Sequence, residues 1–191
     1  MSIAEADVLC LELAACRAMF LENRIIADRI ACALTLEQFN WKPSPERWSV
    51  AQCLVHLNIS AELYAAPMES AIRRGLRDRL FGSGPFHYGP LARWMLRSVS
   101  PENRGRYKSP SEFVPADAIY GVRDVLRTFH LAGARWEQLL REANGLDLER
   151  IKVRSPAVAL IKLPLGSLFE IQATHERRHL LQAEQVLEQE F

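Results

Sequence analysis

The sequence predicts an all-α protein, a four-helix bundle whose helices run up-down-down-up. Three observations predict this fold class. Long segments repeat apolar residues at steps of three and four, as helices with one buried face do. Strand-like alternation of polar and apolar residues is almost absent. The crossover between the second and third segments is long enough for those two helices to lie parallel.

Composition is typical of a globular protein. The chain has 191 residues, of which 49% are hydrophobic and 25% charged, so a single domain over 1–191 is predicted. The net charge of +1 gives no indication of a nucleic-acid or membrane partner. Neither a secretory signal nor a membrane-length apolar run is recognised, which favours a cytoplasmic location. Buried, reduced thiols are predicted for Cys10, Cys16, Cys32 and Cys53.

The first helix is predicted over residues 2–34. Ser2 and Glu5 fit a capping box at its start. Asn23 is the polar member of an otherwise apolar stripe, which indicates either a core amide bonded to a neighbour or a group lining a polar cavity. The short connection that follows predicts that the first two long helices are antiparallel neighbours.

The second helix is predicted from residue 50 to about residue 75. Ser49 and Gln52 form another capping box at its start. Pro67 removes a backbone donor inside the helix, so a kink or a break is expected near it. His56 lies on an apolar face, where a lone histidine is more often a core residue than a metal ligand.

The connection over residues 76–114 is long and basic, and a short helix is predicted within it at 91–98. Nine basic residues and two acidic ones lie between Arg73 and Lys108, with aromatic residues interleaved. Three interpretations stay open: a solvated loop, a rim that attracts an anionic small molecule, and a nucleic-acid patch.

The third helix is predicted over 115–143, with Pro115 in its first turn. Its buried stripe is predicted to contain Ile119, Val122, Leu126, Phe129, Gly133, Trp136 and Leu140. His130 lies beside that stripe and is interpreted as boundary packing, and His87 as an exposed loop residue. The linker over 144–165 shows a short extended pattern at 150–154.

The final helix is predicted over 165–189, with two histidines on its buried stripe. His175 and His179 are four residues apart and therefore lie on one face. Gln182 continues the same stripe. Buried polar groups need partners, since each unpaired one costs about 1–3 kcal/mol, and a metal ion would be such a partner. Glu176 is one position off the stripe and is not assigned as a general base.

The string His175-Glu176-x-x-His179 also matches the H-E-x-x-H signature of zinc peptidases. The extended form of that motif needs a further glycine and histidine, and Gln182 and Gln185 occupy those positions. The glutamates that follow belong to the same helix and cannot fold back onto the site. A zinc peptidase is therefore a minor alternative.

Several motifs resemble those of DinB-like proteins, a family of metalloenzyme-like bundles. Trp48-Ser49-x₆-His56-Leu57, preceded by two prolines, looks like their entry into the second helix. Residues 147–156 are similar to their third connection, and His175-x-x-Arg178-His179-x-x-Gln182 resembles their last-helix motif. The family name refers to induction by DNA damage and does not indicate DNA binding.

The resemblance implies one divalent metal ion held by His56, His175 and His179. It also implies thiol-dependent transferase or isomerase chemistry in some relatives, low-molecular-weight thiol cofactors and frequent homodimers. Three imidazoles suit Zn²⁺ or Ni²⁺ and leave positions open for water or a thiolate. Gln182 is a candidate to support a ligand or to contact substrate. We therefore expect a thiol S-transferase acting on an anionic small molecule; a non-catalytic bundle stabilised by metal is the alternative.

Overall fold

The computed structural model describes residues 8–103, 105, 108–158 and 160–189, and these residues are mostly helical, as predicted. The α helices are α1 (Leu11–Ala31), α2 (Leu36–Asn40), α3 (Val50–Arg77), α4 (Pro90–Val99), α5 (Val122–Ala143) and α6 (Leu165–Leu187). Strands β1 (Lys152–Arg154) and β2 (Lys162–Pro164) pair antiparallel, and Ser111–Phe113 forms a 3₁₀ turn. The predicted short helix and extended piece are confirmed by α4 and β1, whereas the sequence patterns do not predict α2, β2 or the turn. No helix within the described ranges is long and apolar enough to cross a membrane.

The first described helix, α1, starts later than predicted. The side chain of Asn144, at the end of α5, binds the backbone of the residues that precede α1. The Asn144 amide accepts a hydrogen bond from the Cys10 N–H (3.1 Å) and donates one to the Val8 carbonyl (3.0 Å). The helix begins at Leu11, and its N-cap contributes no side-chain bond. The capping box predicted at residues 2–5 lies outside the described residues.

The start of α5 is also later than predicted, for the same physical reason. The Asn40 side chain accepts a hydrogen bond from the Tyr120 N–H (2.8 Å) and donates one to the Tyr120 carbonyl (3.0 Å). Both backbone groups of Tyr120 are thus used outside a helix, and α5 begins at Val122. The predicted start at Pro115 is wrong, and Ile119, predicted to be buried, is 76% exposed.

The start of α3 is where the sequence predicts it. The Ser49 hydroxyl accepts a hydrogen bond from the Gln52 N–H (3.1 Å), and Gln52 Oε1 accepts one from the Ser49 N–H (3.3 Å). The predicted capping box is therefore confirmed. No break occurs at Pro67, since the helix is continuous. A proline inside a helix costs about 3 kcal/mol, which the buried face on both sides of Pro67 offsets.

Each of the long helices α1, α3, α5 and α6 packs against two others. Among these four helices, α3 packs against α5 and α6, and α1 packs against the same two. The prediction that α1 and α3 are neighbours is therefore wrong. The reason is the connection over residues 32–49, which contains α2 and can carry the chain across the end of the helices.

Buried polar side chains divide the hydrophobic core into two parts. On α1, one apolar cluster ends at Phe20 and the other starts at Ile26. On α3 the change falls between Leu57 and Ala61. The buried polar residues between the clusters form what we call the polar layer: Asn23, His56, Ser60, Gln172, Glu176 and His179.

Candidate metal centre

Three histidines meet at the polar layer, one from α3 and two from α6. His56 is 2% exposed, His179 is buried, and His175 keeps some accessible surface. Their potential ligand atoms all lie within 4.8 Å of one another, and Nε2 of His56 is 3.2 Å from Nε2 of His175. The structure thus brings the predicted histidines together as a group that could hold a metal ion.

Hydrogen bonds on the outer side of two rings define which nitrogen carries the lone pair. His56 Nδ1 lies 2.7 Å from the Phe113 carbonyl oxygen, which only accepts, so Nδ1 is the protonated nitrogen. His179 Nδ1 lies 2.9 Å from Gln182 Oε1, also an acceptor. Nε2 of both rings therefore keeps its lone pair. Outer hydrogen bonds of this kind orient metal-ligating histidines in general.

The environment keeps all three imidazoles neutral. Burial lowers the pKa of His56 below its ordinary value. Burial, and then the neighbouring His56 and Arg178, lowers the pKa of His175 to about 3. Burial and the other two histidines hold the pKa of His179 well below the usual range. Neutral imidazole is the form that binds metal ions.

One distance between histidine nitrogens is close to that between two ligands of a tetrahedral cation. With Zn–N bonds of about 2.0–2.1 Å, two nitrogens of a tetrahedral site lie about 3.3–3.4 Å apart. The distance between the Nε2 atoms of His56 and His175 is 3.2 Å. The three imidazoles therefore form a donor set that suits a divalent cation with a preference for nitrogen ligands.

Aromatic rings cover part of this centre. The Trp48 ring centre lies 4.8 Å from that of His56 and 5.7 Å from that of His179. The Phe113 ring lies 6.5 Å from the His56 ring. Such walls exclude water and lower the local dielectric, which strengthens electrostatic interactions inside. Trp48 belongs to the motif before α3, but the spacing alone does not reveal its contact with two histidines.

The glutamate of the H-E-x-x-H string bonds to α1 and α5 rather than to the histidines. Glu176 accepts hydrogen bonds from Asn23 Nδ2 (3.2 Å) and Trp136 Nε1 (3.1 Å). It is 6% exposed, so its predicted position off the buried face is wrong. Burial raises the pKa of its carboxyl to about 8. Asn23 is confirmed as a core amide, and its place on the α1 stripe was the signal for a buried polar partner.

Arg178, between the two α6 histidines in sequence, attaches the long connection to α6. Its guanidinium donates hydrogen bonds of 2.8 Å to the carbonyls of Ser100, Asn103 and Gly105, just after α4. Further along the same connection, the Phe113 carbonyl binds a histidine ring. The long connection is therefore attached beside the metal centre at two points.

The remaining histidines and the cysteines lie outside the centre. His130 is half-buried, as predicted for a boundary residue, and bonds to Asp28 at 2.7 Å. His87 is exposed, as predicted. All four cysteines are free. The prediction that they are buried is wrong for Cys32, which is exposed, and only partly true of Cys10. Burial raises the pKa of each of the two buried thiols to about 12, which makes them unreactive.

The fold and the site together define a helical protein with a buried three-histidine group that could hold a metal ion. The sequence model of the DinB superfamily matches residues 20–183, and the chain belongs to that superfamily. The matched range contains all three histidines, and the resemblance seen in the sequence motifs is confirmed. Comparisons with curated proteins and with solved structures gave no significant match.

Proposed function

We propose that this chain is a metal-dependent enzyme that binds one divalent cation through His56, His175 and His179. The observation that carries the proposal is the convergence of three neutral imidazoles, two of them buried, in one group. No cysteine or carboxylate of the described residues joins them. Structural zinc sites normally have four protein ligands, whereas three leave a position for water or substrate.

For the metal we propose Zn²⁺ or Ni²⁺, because neutral nitrogen donors suit these ions better than Mg²⁺ or Ca²⁺. Gln182 would support the site through its hydrogen bond to His179. Such partners fix the orientation of a ligand ring, and their removal typically weakens metal binding by roughly 10- to 100-fold.

For the reaction we propose thiol S-transfer with a low-molecular-weight thiol as cosubstrate. A bound cation lowers the pKa of a coordinated thiol, so thiolate is available near neutral pH. In the transfer, the thiol proton goes to solvent and a sulfur lone pair forms a bond to an electrophilic carbon. The leaving group departs with the electrons of its bond to that carbon. Trp48 and Phe113 would limit the access of water to the reacting sulfur.

The helix order up-down-down-up is also a proposal. The residue numbers of hydrogen-bonded partners rise together along α1 and α6 and along α3 and α5, as in parallel helices. Along α3 and α6 one number rises while the other falls, as in antiparallel helices. The supporting pairs are Asn23–Glu176 and Arg29–Glu184, then Asn58–Val125 and Glu69–Arg135, and finally Ser60–Gln172 and His56–His175.

The proposed substrate is an anionic small molecule. Arg93 and Arg97 are exposed on α4 beside Trp94, which is 59% exposed. Neither arginine forms an ion pair with the described residues, so both could attract an anion. A cytoplasmic homodimer without nucleic-acid or membrane partners remains our proposal. Leu21 and Ile25, exposed on one face of α1, are candidates for the dimer contact.

A non-catalytic bundle stabilised by metal is the second candidate, favoured by the position of the histidines where α3 packs on α6.

A peptidase is disfavoured because the Glu176 carboxyl is bonded to Asn23 and Trp136. A general base must reach the proton that it removes.

Elemental analysis of the purified protein tests the metal site. We expect one metal ion per chain in the parent and in His130→Ala, a matched histidine deletion outside the centre. His56→Ala and His179→Ala should lose the ion; if they retain as much as the parent, the assignment is wrong.

Thiol consumption with a panel of electrophiles tests the reaction, and removal of metal by a chelator should abolish it. If chelation lowers the melting temperature while no electrophile consumes thiol, the non-catalytic candidate replaces the enzyme.

A further inference from the structure

We infer that Gln172 binds the metal-held atom of the substrate or cosubstrate, and that Ser60 positions the Gln172 amide for this role. The ligand class is an anionic hydrogen-bond acceptor, a thiolate or an oxyanion. The inference rests on the proposed metal centre and adds a substrate-binding residue to it.

Ser60 and Gln172 form the layer next to the histidines. Ser60 is four residues after His56 on α3, and Gln172 is three residues before His175 on α6. At a rise of about 1.5 Å per residue, these offsets correspond to about 6 and 4.5 Å along the helices. Ser60 is 2% exposed and Gln172 is 4% exposed, so both lie inside the α3–α6 interface.

The Ser60 hydroxyl uses only one end of the glutamine amide. It donates a hydrogen bond of 3.1 Å to Gln172 Oε1. Nε2 forms no hydrogen bond with the described residues. It is also not one of the buried side-chain atoms of these residues that lack a hydrogen bond, which are Asn58 Oδ1, Tyr88 Oη and Arg177 Nη1. Within the described part of the chain, this buried glutamine therefore keeps one donor without a partner, although buried polar groups are normally paired.

The glutamine donor and the aromatic cover lie on different sides of the histidines. Trp48 precedes His56 in the chain and contacts its ring, whereas Ser60 follows it by one helical turn. The glutamine and the tryptophan therefore flank the histidines from opposite directions along α3. A preorganised N–H beside a metal-held atom stabilises negative charge there. Such a site selects a thiolate or an oxyanion over a neutral molecule of the same shape.

Titration of the Co²⁺-substituted protein with azide, and separately with 2-mercaptoethanol, tests the inference through the visible d–d absorption. Gln172→Met keeps a similar volume but has no donor. We expect it to bind Co²⁺ about as tightly as the parent and azide about tenfold more weakly or worse. Gln182→Met is the matched control, because it removes the other glutamine that lies one turn from a histidine. It should weaken Co²⁺ binding through His179.

Two further variants separate positioning from folding. Ser60→Ala should weaken azide binding by a smaller factor than Gln172→Met, and Ser60→Thr should restore it. Tyr64→Phe removes a 3.0 Å hydrogen bond between α3 and Ser155, which follows β1, and should leave azide binding unchanged.

The inference is overturned if Gln172→Met binds azide as tightly as the parent, or if it weakens Co²⁺ and azide by the same factor. A parent protein that binds no Co²⁺ overturns the metal centre itself, and this inference with it.

Discussion

Replacing Asn23 with leucine should destabilise the protein by roughly 0.5–3.5 kcal/mol. Asn23 Nδ2 donates hydrogen bonds to the Ala173 carbonyl (2.9 Å) and to Glu176 Oε2 (3.2 Å), both inside the core. Glu176 Oε2, left without this donor, costs about 1–3 kcal/mol, and the lost bond to the Ala173 carbonyl, which keeps its donor within α6, costs about 0.5–1.5 kcal/mol. The additional apolar burial of leucine offsets about 1 kcal/mol of that sum.

Urea unfolding followed by circular dichroism measures this change. Arg24→Leu is the matched control, because it places the same side chain at the next, exposed position of α1; its effect should stay within about 0.5 kcal/mol. In a Glu176→Leu background, Asn23→Leu should cost at least about 1 kcal/mol less, since one acceptor is gone. If Asn23→Leu and Arg24→Leu change the free energy of unfolding equally, the hydrogen-bond reasoning is refuted.

Three further predictions concern other parts of the fold. Tyr88→Phe should raise the melting temperature, because it removes a buried hydroxyl that has no partner among the described residues; a lower melting temperature would contradict this. Burial raises the pKa of Glu170, so the folded state binds more protons than the unfolded state, and stability falls as pH rises through the folded pKa. Glu170→Gln should therefore be more stable than the parent at alkaline pH and should lose that advantage below the unfolded pKa of about 4.3; a pH-independent difference in urea midpoints would count against it. Arg178→Lys keeps the charge but loses the planar fork that bonds the carbonyls after α4, and limited proteolysis should then cut residues 98–105 faster; unchanged cleavage would argue against the attachment.

Apolar periodicity predicts the long helices, but not where two of them start. Asn40 binds the backbone of Tyr120, 80 positions away, and Asn144 binds Cys10, 134 positions away. Each bond gives a backbone group a partner outside the helix, so the helix begins after it. A local window of sequence contains only one member of each pair, and the start therefore cannot be derived from it.

The residues of the candidate site differ in how far the sequence alone could predict their roles. His175 and His179 follow from their spacing on an apolar stripe, since two buried imidazoles need a common partner. His56 could be assigned as a ligand only through the family resemblance. Its hydrogen-bond acceptor, the Phe113 carbonyl, lies in a connection without periodicity. Burial of Glu176 was missed because a single stripe was assigned to the last helix. That helix packs against both α1 and α3, so its buried arc covers two faces.

The polar layer has a consequence for helix alignment. Apolar side chains tolerate sliding past one another, because one aliphatic contact can replace another at little cost. Asn23 bonds to Glu176, and Ser60 to Gln172. Sliding α6 by one turn would separate both pairs and leave buried polar atoms without their hydrogen bonds. The layer therefore holds both halves of the core in a single register, as one buried polar residue does in a coiled coil.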